Sequence, residues 1–213
     1  MEGPQRPFVI SLGVLLLLHT VGVIGFSFEA TRGLFQSLTP MNLVITVAML
    51  GWLHTKWSLR FACYSLLIFL AGYGVEVAGV ATGQIFGIYE YGGTLGPKLF
   101  AVPPVIGLNW LMLVYSSGVI TKKIPAHPVV RAAVGATIMT TLDFIIEPVA
   151  VVLDFWTWAN VDIPLQNFIA WWGIAFVMLL GFHLPKWKID NPLAGAVLLV
   201  QAIFFAALRI ILL

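Results

Sequence analysis

The chain has 213 residues, of which 60% are hydrophobic and only 9% are charged, and its formal net charge is +2. A soluble domain carries about a quarter charged residues, so this composition excludes a soluble globular protein and indicates an integral membrane protein. The basic residues sit at the ends of apolar segments, where membrane topology explains them better than an anionic partner does.

Seven apolar segments, taken in chain order, are each close to the length of about 20 residues that a membrane-spanning helix requires. They are residues 7–28, 38–54, 60–83, 102–121, 128–153, 164–183 and 191–213. Because these segments use most of the chain, there is no room for a soluble catalytic domain. We therefore predict an all-α polytopic membrane protein with seven transmembrane helices that form a single domain over residues 1–213.

Lysine and arginine residues, which concentrate in cytoplasmic loops, predict the orientation. With the N-terminus inside, the cytoplasmic side carries Arg6, Lys56, Arg60, Lys122, Lys123, Lys186 and Lys188, whereas the outer side carries Arg32, Lys98 and Arg209. We expect a cytoplasmic N-terminus in the cell membrane. A cleaved signal peptide over residues 1–28 is disfavoured, because the apolar run is long and no small-x-small cleavage site promptly follows it.

The third and fifth segments, which both run outward in this topology, carry carboxyl groups inside the membrane. Counted at 1.5 Å per residue from the start of each segment, Glu76 lies about 24 Å along the third and Asp143 about 22 Å along the fifth. Glu147 follows Asp143 by four residues and so shares its helix face. We expect Pro148 to kink the helix beside Glu147.

These acids indicate function, because a charged side chain at bilayer depth costs about 2.5–3.5 kcal/mol on insertion scales. A buried carboxyl group is most easily kept in its protonated form. Such an acid in an aromatic-lined pocket can protonate an alkene, since aromatic faces stabilise the resulting tertiary carbocation. Water from the nearby outer surface can capture the cation while a second carboxylate accepts its proton. The complete sequence of steps is a hydration.

Two parts of the chain repeat the same order of residues. In each, an acid is followed 13 and 15 residues later by an aromatic pair, and then by a helix that starts at proline and carries an asparagine and a tryptophan. The order is consistent with a parallel repeat of helices 3–4 and 5–6 around one pocket, or with coincidence. The aromatic pairs are equally explained as interfacial anchors. The two sets are Glu76, Tyr89, Tyr91, Pro103, Asn109 and Trp110, and Asp143, Trp156, Trp158, Pro164, Asn167 and Trp171.

The remaining acids, glycines, cysteine and histidines do not indicate a second functional site. We interpret Asp154 and Asp162 as solvated loop charges. The glycines at positions 72, 79 and 83 favour close helix packing, with a groove for a thin apolar ligand as the alternative. The lone Cys63 allows no intramolecular disulfide, no two histidines are spaced as a helical ligand pair, and the phosphate and dinucleotide motifs are missing, so we expect no metal or cofactor and no nucleic-acid partner.

A set of linked motifs resembles the integral-membrane carotenoid hydratases of the CruF type. The resemblance extends over residues 76–172 and is carried by TGQIFGIYEYGGTLG, VPPVIGLNW, DFIIEP, FWTW and PLQNFIAWW. It implies a carotenoid 1,2-hydratase, a hydro-lyase that adds water without a cofactor to the terminal C1,C2 double bond of an acyclic carotenoid of the lycopene type or of a bacterioruberin precursor. The implied catalytic residues are Glu76, Asp143 and Glu147, and the implied substrate-binding residues are Tyr89, Tyr91, Asn109, Trp110, Trp156, Trp158, Asn167 and Trp171.

We expect Asp143 to be the general acid and Glu76 or Glu147 to hold or activate the water. The lipid bilayer and other enzymes of carotenoid biosynthesis are the expected partners. A carotenoid cyclase is an alternative, because it begins with the same protonation but captures the cation with an alkene. A proton-coupled transporter is a second alternative, although the inner halves of the helices lack carboxylates. A retinal photoreceptor is disfavoured, because the last segment has no lysine for a Schiff base.

Overall fold

The structure is a computed structural model that describes residues 5–160, 162–185 and 187–213, so Lys186 lies outside the described residues. Seven helices occur in these ranges, and six of them are long and apolar enough to cross a membrane. The architecture is therefore all-α and typical of a polytopic membrane protein, as predicted. The helices are α1 (Gln5–Ser27), α2 (Glu29–Trp52), α3 (Leu59–Thr82), α4 (Val105–Thr121), α5 (Pro128–Val152), α6 (Leu165–His183) and α7 (Leu193–Leu212).

Two helices start at other positions than predicted. The second begins at Glu29 and not at residue 38, because its first turns are polar but compatible with a helix, and an acidic first residue favours a helix N-terminus. The fourth begins at Val105 and not at residue 102. Residues that precede a proline disfavour the helical conformation, so Pro103 and Pro104 keep Val102 and Pro103 out of the helix, and Pro104, with φ −59° and ψ −21°, is its N-cap.

The aromatic pairs form two short strands that the sequence analysis did not predict, β1 (Tyr89–Tyr91) and β2 (Trp156–Trp158). They pair antiparallel, with Tyr89 opposite Trp158 and Tyr91 opposite Trp156. Since β1 follows α3 and β2 follows α5, the C-terminal ends of both helices lie at the same end of the bundle. The register is symmetric about its central pair, so residues 67 apart in the sequence have equivalent places in the two strands. A repeat that includes the helices stays a prediction.

The lysine-bearing connections meet at the opposite end of the bundle. The Thr55 hydroxyl donates to the Asp190 carbonyl at 3.1 Å. The Lys122 ammonium donates to the Ile189 carbonyl at 3.1 Å, and Lys123 pairs with the Asp190 carboxylate at 3.5 Å. The loops after α2, α4 and α6 are thereby joined at one end of the bundle.

Two glycines of α3, Gly72 and Gly79, lie where neighbouring side chains come too close for a larger residue. A Cβ on Gly72 would lie 2.4 Å from the Cβ of Trp110, and one on Gly79 would lie 2.6 Å from the Phe86 ring. Gly83 ends the helix with φ +65°, a conformation that favours glycine. Close helix packing is confirmed for Gly72, which packs on Trp110 of α4 and sets its position, whereas Gly79 packs on Phe86 in the following loop and Gly83 caps the helix.

Candidate active site

Three carboxyl groups are buried near the end of the bundle that carries β1 and β2. Glu76, Asp143 and Glu147 are 3%, 3% and 2% exposed. Glu76 comes from α3, and the two others come from α5, one turn apart. Burial of carboxyl groups is unfavourable unless hydrogen bonds replace their contacts with water, so their partners define the chemistry of the site.

Glu76 is surrounded by hydrogen-bond donors from β1 and α4. The hydroxyl groups of Tyr89 and Tyr91 donate to its Oε2 at 2.6 and 2.8 Å, and the indole N–H of Trp110 donates to its Oε1 at 2.9 Å. Burial, together with the adjacent Glu76 carboxylate, raises the pKa of both tyrosines well above the ordinary value of 10.0. Both phenols therefore keep their protons and remain donors to Glu76.

Glu147 has an equivalent set of three donor contacts from β2 and α6. The indole N–H groups of Trp156 and Trp158 donate to its Oε2 at 2.9 and 3.0 Å. The side-chain amide of Asn167 donates to its Oε1 at 3.1 Å. Both glutamates are therefore supplied with donors on both carboxyl oxygens, which is the environment that favours a carboxylate.

Asp143 has fewer partners than the glutamates. Its Oδ2 accepts a hydrogen bond from Asn167 at 3.1 Å, and its Oδ1 accepts none from the described residues. The Asn167 amide nitrogen is shared, because it also donates to Glu147. Asp143 is thus the acid of this site with the least hydrogen-bond support for a negative charge.

The tryptophans of β2 bind Glu147, whereas the repeated residue order had matched them with Asp143. Helix length explains the difference. Six residues of α3 follow Glu76, but nine residues of α5 follow Asp143 and only five follow Glu147. At 1.5 Å per residue, Asp143 lies about 4–5 Å further from its strand than Glu76 does. Counted from the helix ends, the two acids therefore differ in position by more than the count from the helix starts predicted.

A small cavity of about 30 Å³ lies between Glu76 and Glu147. Asn109 and Asn167 also line it, so its wall combines carboxyl and amide groups. This volume is sufficient for one or two water molecules with several polar partners. The small cavity is therefore suited to hold water next to two carboxyl groups.

A large cavity of about 300 Å³ adjoins the small one. Asp143 lines the large cavity but not the small one, while Asn109, Trp156 and Trp171 line both. Most of the wall is aliphatic or aromatic and comes from α1, α2 and α7 as well as from the helices of the acid site. The site therefore places one acid against an apolar space and two acids against a polar one.

Trp110, which donates to Glu76, packs against Trp171, which lines both cavities. Their rings stack with centroids 4.1 Å apart and planes inclined by 14°. The structure brings all predicted site residues together. Each one hydrogen-bonds to one of the three acids, lines at least one of the two cavities, or does both. Phe86 and Ile106 also line the small cavity, but as single apolar residues they carry no sequence signal.

Asp154 lies beyond the end of α5 and does not share the helix face of Asp143 and Glu147. It follows the helix with φ +56°, is exposed, and accepts a hydrogen bond from the backbone N–H of Gly93 at 2.8 Å. Asp162 is exposed as well. The interpretation of both as loop charges is confirmed, and Asp154 additionally joins the β1 and β2 connections.

Fold and site together define a polytopic membrane protein with a largely apolar, aromatic-lined cavity that carries a buried carboxyl group. Residues 37–212 match the family described as carotenoid biosynthesis protein, and the chain belongs to this family. The chain is also 29% identical over 127 residues to the bisanhydrobacterioruberin hydratase of Haloarcula japonica, with 55% of this chain and 43% of the relative covered. It thus spans less than half the length of that relative. No solved structure matches the chain. The resemblance to carotenoid hydratases is confirmed.

Proposed function

We propose that this protein is a carotenoid 1,2-hydratase that adds water across the terminal C1,C2 double bond of an acyclic carotenoid end group, giving a tertiary alcohol. The observation that carries the proposal is the division of the acid site. Asp143 borders the large apolar cavity, and Glu76 and Glu147 border a cavity of the size of a water molecule. Membership of the carotenoid biosynthesis family supports the substrate class.

Asp143 is the proton donor in this mechanism. A carboxylate needs hydrogen-bond donors in a low-dielectric site, and among the described residues Asn167 alone donates to Asp143. It therefore holds the proton at rest, and its Oδ1–H transfers it to C2 as the π electrons of the double bond form the new C–H bond. The resulting tertiary cation at C1 is stabilised by the electron-rich faces of Trp156 and Trp171, which line the same cavity.

Water from the small cavity completes the reaction. Its oxygen bonds to C1, and Glu147 or Glu76 accepts the proton that the water releases. The Asn167 amide nitrogen lies 3.1 Å from an oxygen of Glu147 and 3.1 Å from an oxygen of Asp143, so the two carboxyl groups are close enough for one water molecule to accept the proton from Glu147 and return it to Asp143. The balance is one alkene and one water consumed for one tertiary alcohol formed, with every acid returned to its starting state.

The test is expression of the chain in a host that accumulates lycopene, followed by mass spectrometry of the pigments. We expect a product heavier by one water and its complete loss in the Asp143→Asn variant. Asp154→Asn is the matched control, because Asp154 is an exposed acid outside the site, and we expect it to keep activity. A product of unchanged mass identifies a cyclase instead, and full hydration by Asp143→Asn removes Asp143 from the mechanism.

We further propose that the chain is one transmembrane domain in the cytoplasmic membrane, with its N-terminus inside. The support is the gathering of Lys56, Lys122, Lys123 and Lys188 at the end opposite β1 and β2. Reporter fusions at the loop after α4 and at the C-terminus test this orientation. An externally accessible loop after α4 contradicts it.

A further inference from the structure

We propose that the large cavity is the binding site for one end of a polyene and that it opens sideways into the bilayer between α1 and α2. This inference rests on the proposed hydratase function and adds the route by which the substrate reaches Asp143.

The inner end of the cavity is enclosed by buried residues of the acid site. Asp143, Trp171 and Phe155 are 3%, 9% and 5% exposed, and all three line the cavity. Leu113 of α4, which is 2% exposed, closes the wall behind them. A ligand group at this end is in contact with the proposed proton donor and is shielded from the surroundings of the protein.

The outer end lies at the protein surface. Val21 of α1 and Leu38 and Met41 of α2 line the same cavity, although they are 44%, 45% and 58% exposed. All three side chains are apolar, and both helices are long and apolar enough to cross a membrane. The surface at this opening therefore faces lipid, which is where a hydrocarbon substrate is dissolved.

The opening lies within the membrane and not at the turn that joins the two helices. Next to that turn, Phe35 packs so closely on Gly25 that a Cβ there would lie 2.1 Å from its ring. Thr31 donates a hydrogen bond to the Gly25 carbonyl at 2.7 Å. Val21 lies four residues before Gly25, so the opening begins about 6 Å deeper than this contact.

Pro40 lies between the two α2 residues of the opening. A proline inside a helix removes one backbone hydrogen bond and is a common position of a bend. Such a position allows α2 to diverge from α1 on one side of Pro40 while Phe35 stays packed on the other. The sequence thereby contains a local reason for an opening at this level.

The size of the cavity determines the kind of ligand. A volume of about 300 Å³ is at the lower end of ligand pockets and accommodates a small molecule or one end of a longer one. An extended polyene therefore inserts its terminal isoprenoid units as far as Asp143 and leaves the remainder in the bilayer. Water reaches the site separately, through the small cavity beside Glu76 and Glu147.

Cysteine protection tests this route without using activity as the readout. In a Cys63→Ser and Asp143→Asn background, Leu38→Cys, Met41→Cys and Val44→Cys are labelled with an apolar maleimide, with and without lycopene. Val44 is the matched control, because it is 46% exposed on α2 but does not line the cavity. We expect lycopene to protect positions 38 and 41 and not position 44. Equal labelling of all three in both conditions overturns the proposal.

A second measurement uses the protein with its acids intact. We expect Leu38→Trp to lower the initial rate of lycopene hydration severalfold, whereas Val44→Trp keeps the rate of the unaltered chain. An unchanged rate in Leu38→Trp contradicts the route, and if that variant does not fold, the labelling result decides. Protection of positions 38 and 41 by lycopene, together with a chain that retains Asp143 and yet hydrates no lycopene, supports the route while rejecting the proposed reaction.

Discussion

Asn167 on α6 donates a hydrogen bond to Asp143 on α5 from an amide nitrogen 3.1 Å away. The same nitrogen donates to Glu147 at 3.1 Å, so one side chain orients the proposed proton donor and one of the two acids beside the water-sized cavity. Its position at the start of α6 places it in the wall of the small cavity and next to Asp143, which lines the large one, and it is only 2% exposed. The relationship makes Asn167 a positioning residue for the reaction.

Replacement of Asn167 by leucine is expected to lower kcat strongly with little change in the amount of folded protein. A hydrogen bond to a charged group contributes about 1.5–3 kcal/mol, and each 1.4 kcal/mol corresponds to about a tenfold change in rate. Because Glu147 loses a charge-assisted donor and the protonated Asp143 loses the contact that orients it, we expect a loss of about tenfold to a hundredfold in kcat, measured by pigment analysis with purified protein. The control is Asn160→Leu at an exposed loop position. Wild-type kcat in Asn167→Leu would contradict its proposed role.

The sequence predicted the members of the site better than their arrangement. Acids inside apolar segments, followed at fixed distances by aromatic and amide residues, were sufficient to group Glu76, Asp143, Tyr89 and Trp156 in one pocket. The pairing of each acid with its donors depends on how far each helix continues beyond the acid. That length is set by the turn at the end of α5, where Asp154 has φ +56°, and hydropathy carries no information on it.

The two cavities could not be predicted from the sequence, because neither has a motif. The large one is built from single apolar residues of α1, α2 and α7, far apart in the chain, and its volume depends on how these side chains pack. The strands are a similar case. Three-residue aromatic segments pair with each other only because α3 and α5 end at the same level.

Exchange of Trp156 or Trp158 for phenylalanine tests the donors to Glu147. Each change keeps an aromatic face and removes the indole N–H that donates to Glu147 at 2.9 or 3.0 Å. We expect kcat/KM to fall about tenfold to a hundredfold for each, since the carboxylate loses one charge-assisted hydrogen bond. Trp172→Phe is the matched control, because Trp172 is 38% exposed and donates to Thr137 away from the site. Equal activity of all three variants would show that the N–H groups are dispensable.

Gly72 on α3 is predicted to be essential for the position of Trp110. Gly72→Ala places a methyl group 2.4 Å from the Trp110 Cβ, so the indole must move from its 2.9 Å hydrogen bond to Glu76. Overpacking of this kind costs about 1–3 kcal/mol. We expect a lower Tm in detergent and reduced hydration. Gly74→Ala serves as the control on the same helix, because a Cβ at Gly74 has no neighbour within 4 Å. The same Tm for both alanine variants would refute this explanation.

We predict that the protein loses stability in mild acid because of His54, which lies in the connection between α2 and α3. Its ring stacks on Phe61 with centroids 4.6 Å apart, its Nδ1 lies 2.9 Å from the Tyr115 hydroxyl, and its Nε2 is buried without a partner among the described residues. Burial lowers the pKa of His54 below the ordinary 6.5, so the folded protein favours the neutral ring.

The stability that depends on this neutral ring is fully present above pH 6.5, the ordinary pKa, and is lost as the pH falls through the lowered pKa of the folded state. Thermal unfolding in detergent, from about pH 8 to about pH 5, compares the unaltered chain with His54→Gln, which cannot titrate in this range. We expect the Tm of the unaltered chain to fall more steeply below pH 6.5 than that of the variant. Parallel curves would show that His54 stays neutral throughout or is solvated, and they would remove it as the cause of any acid sensitivity.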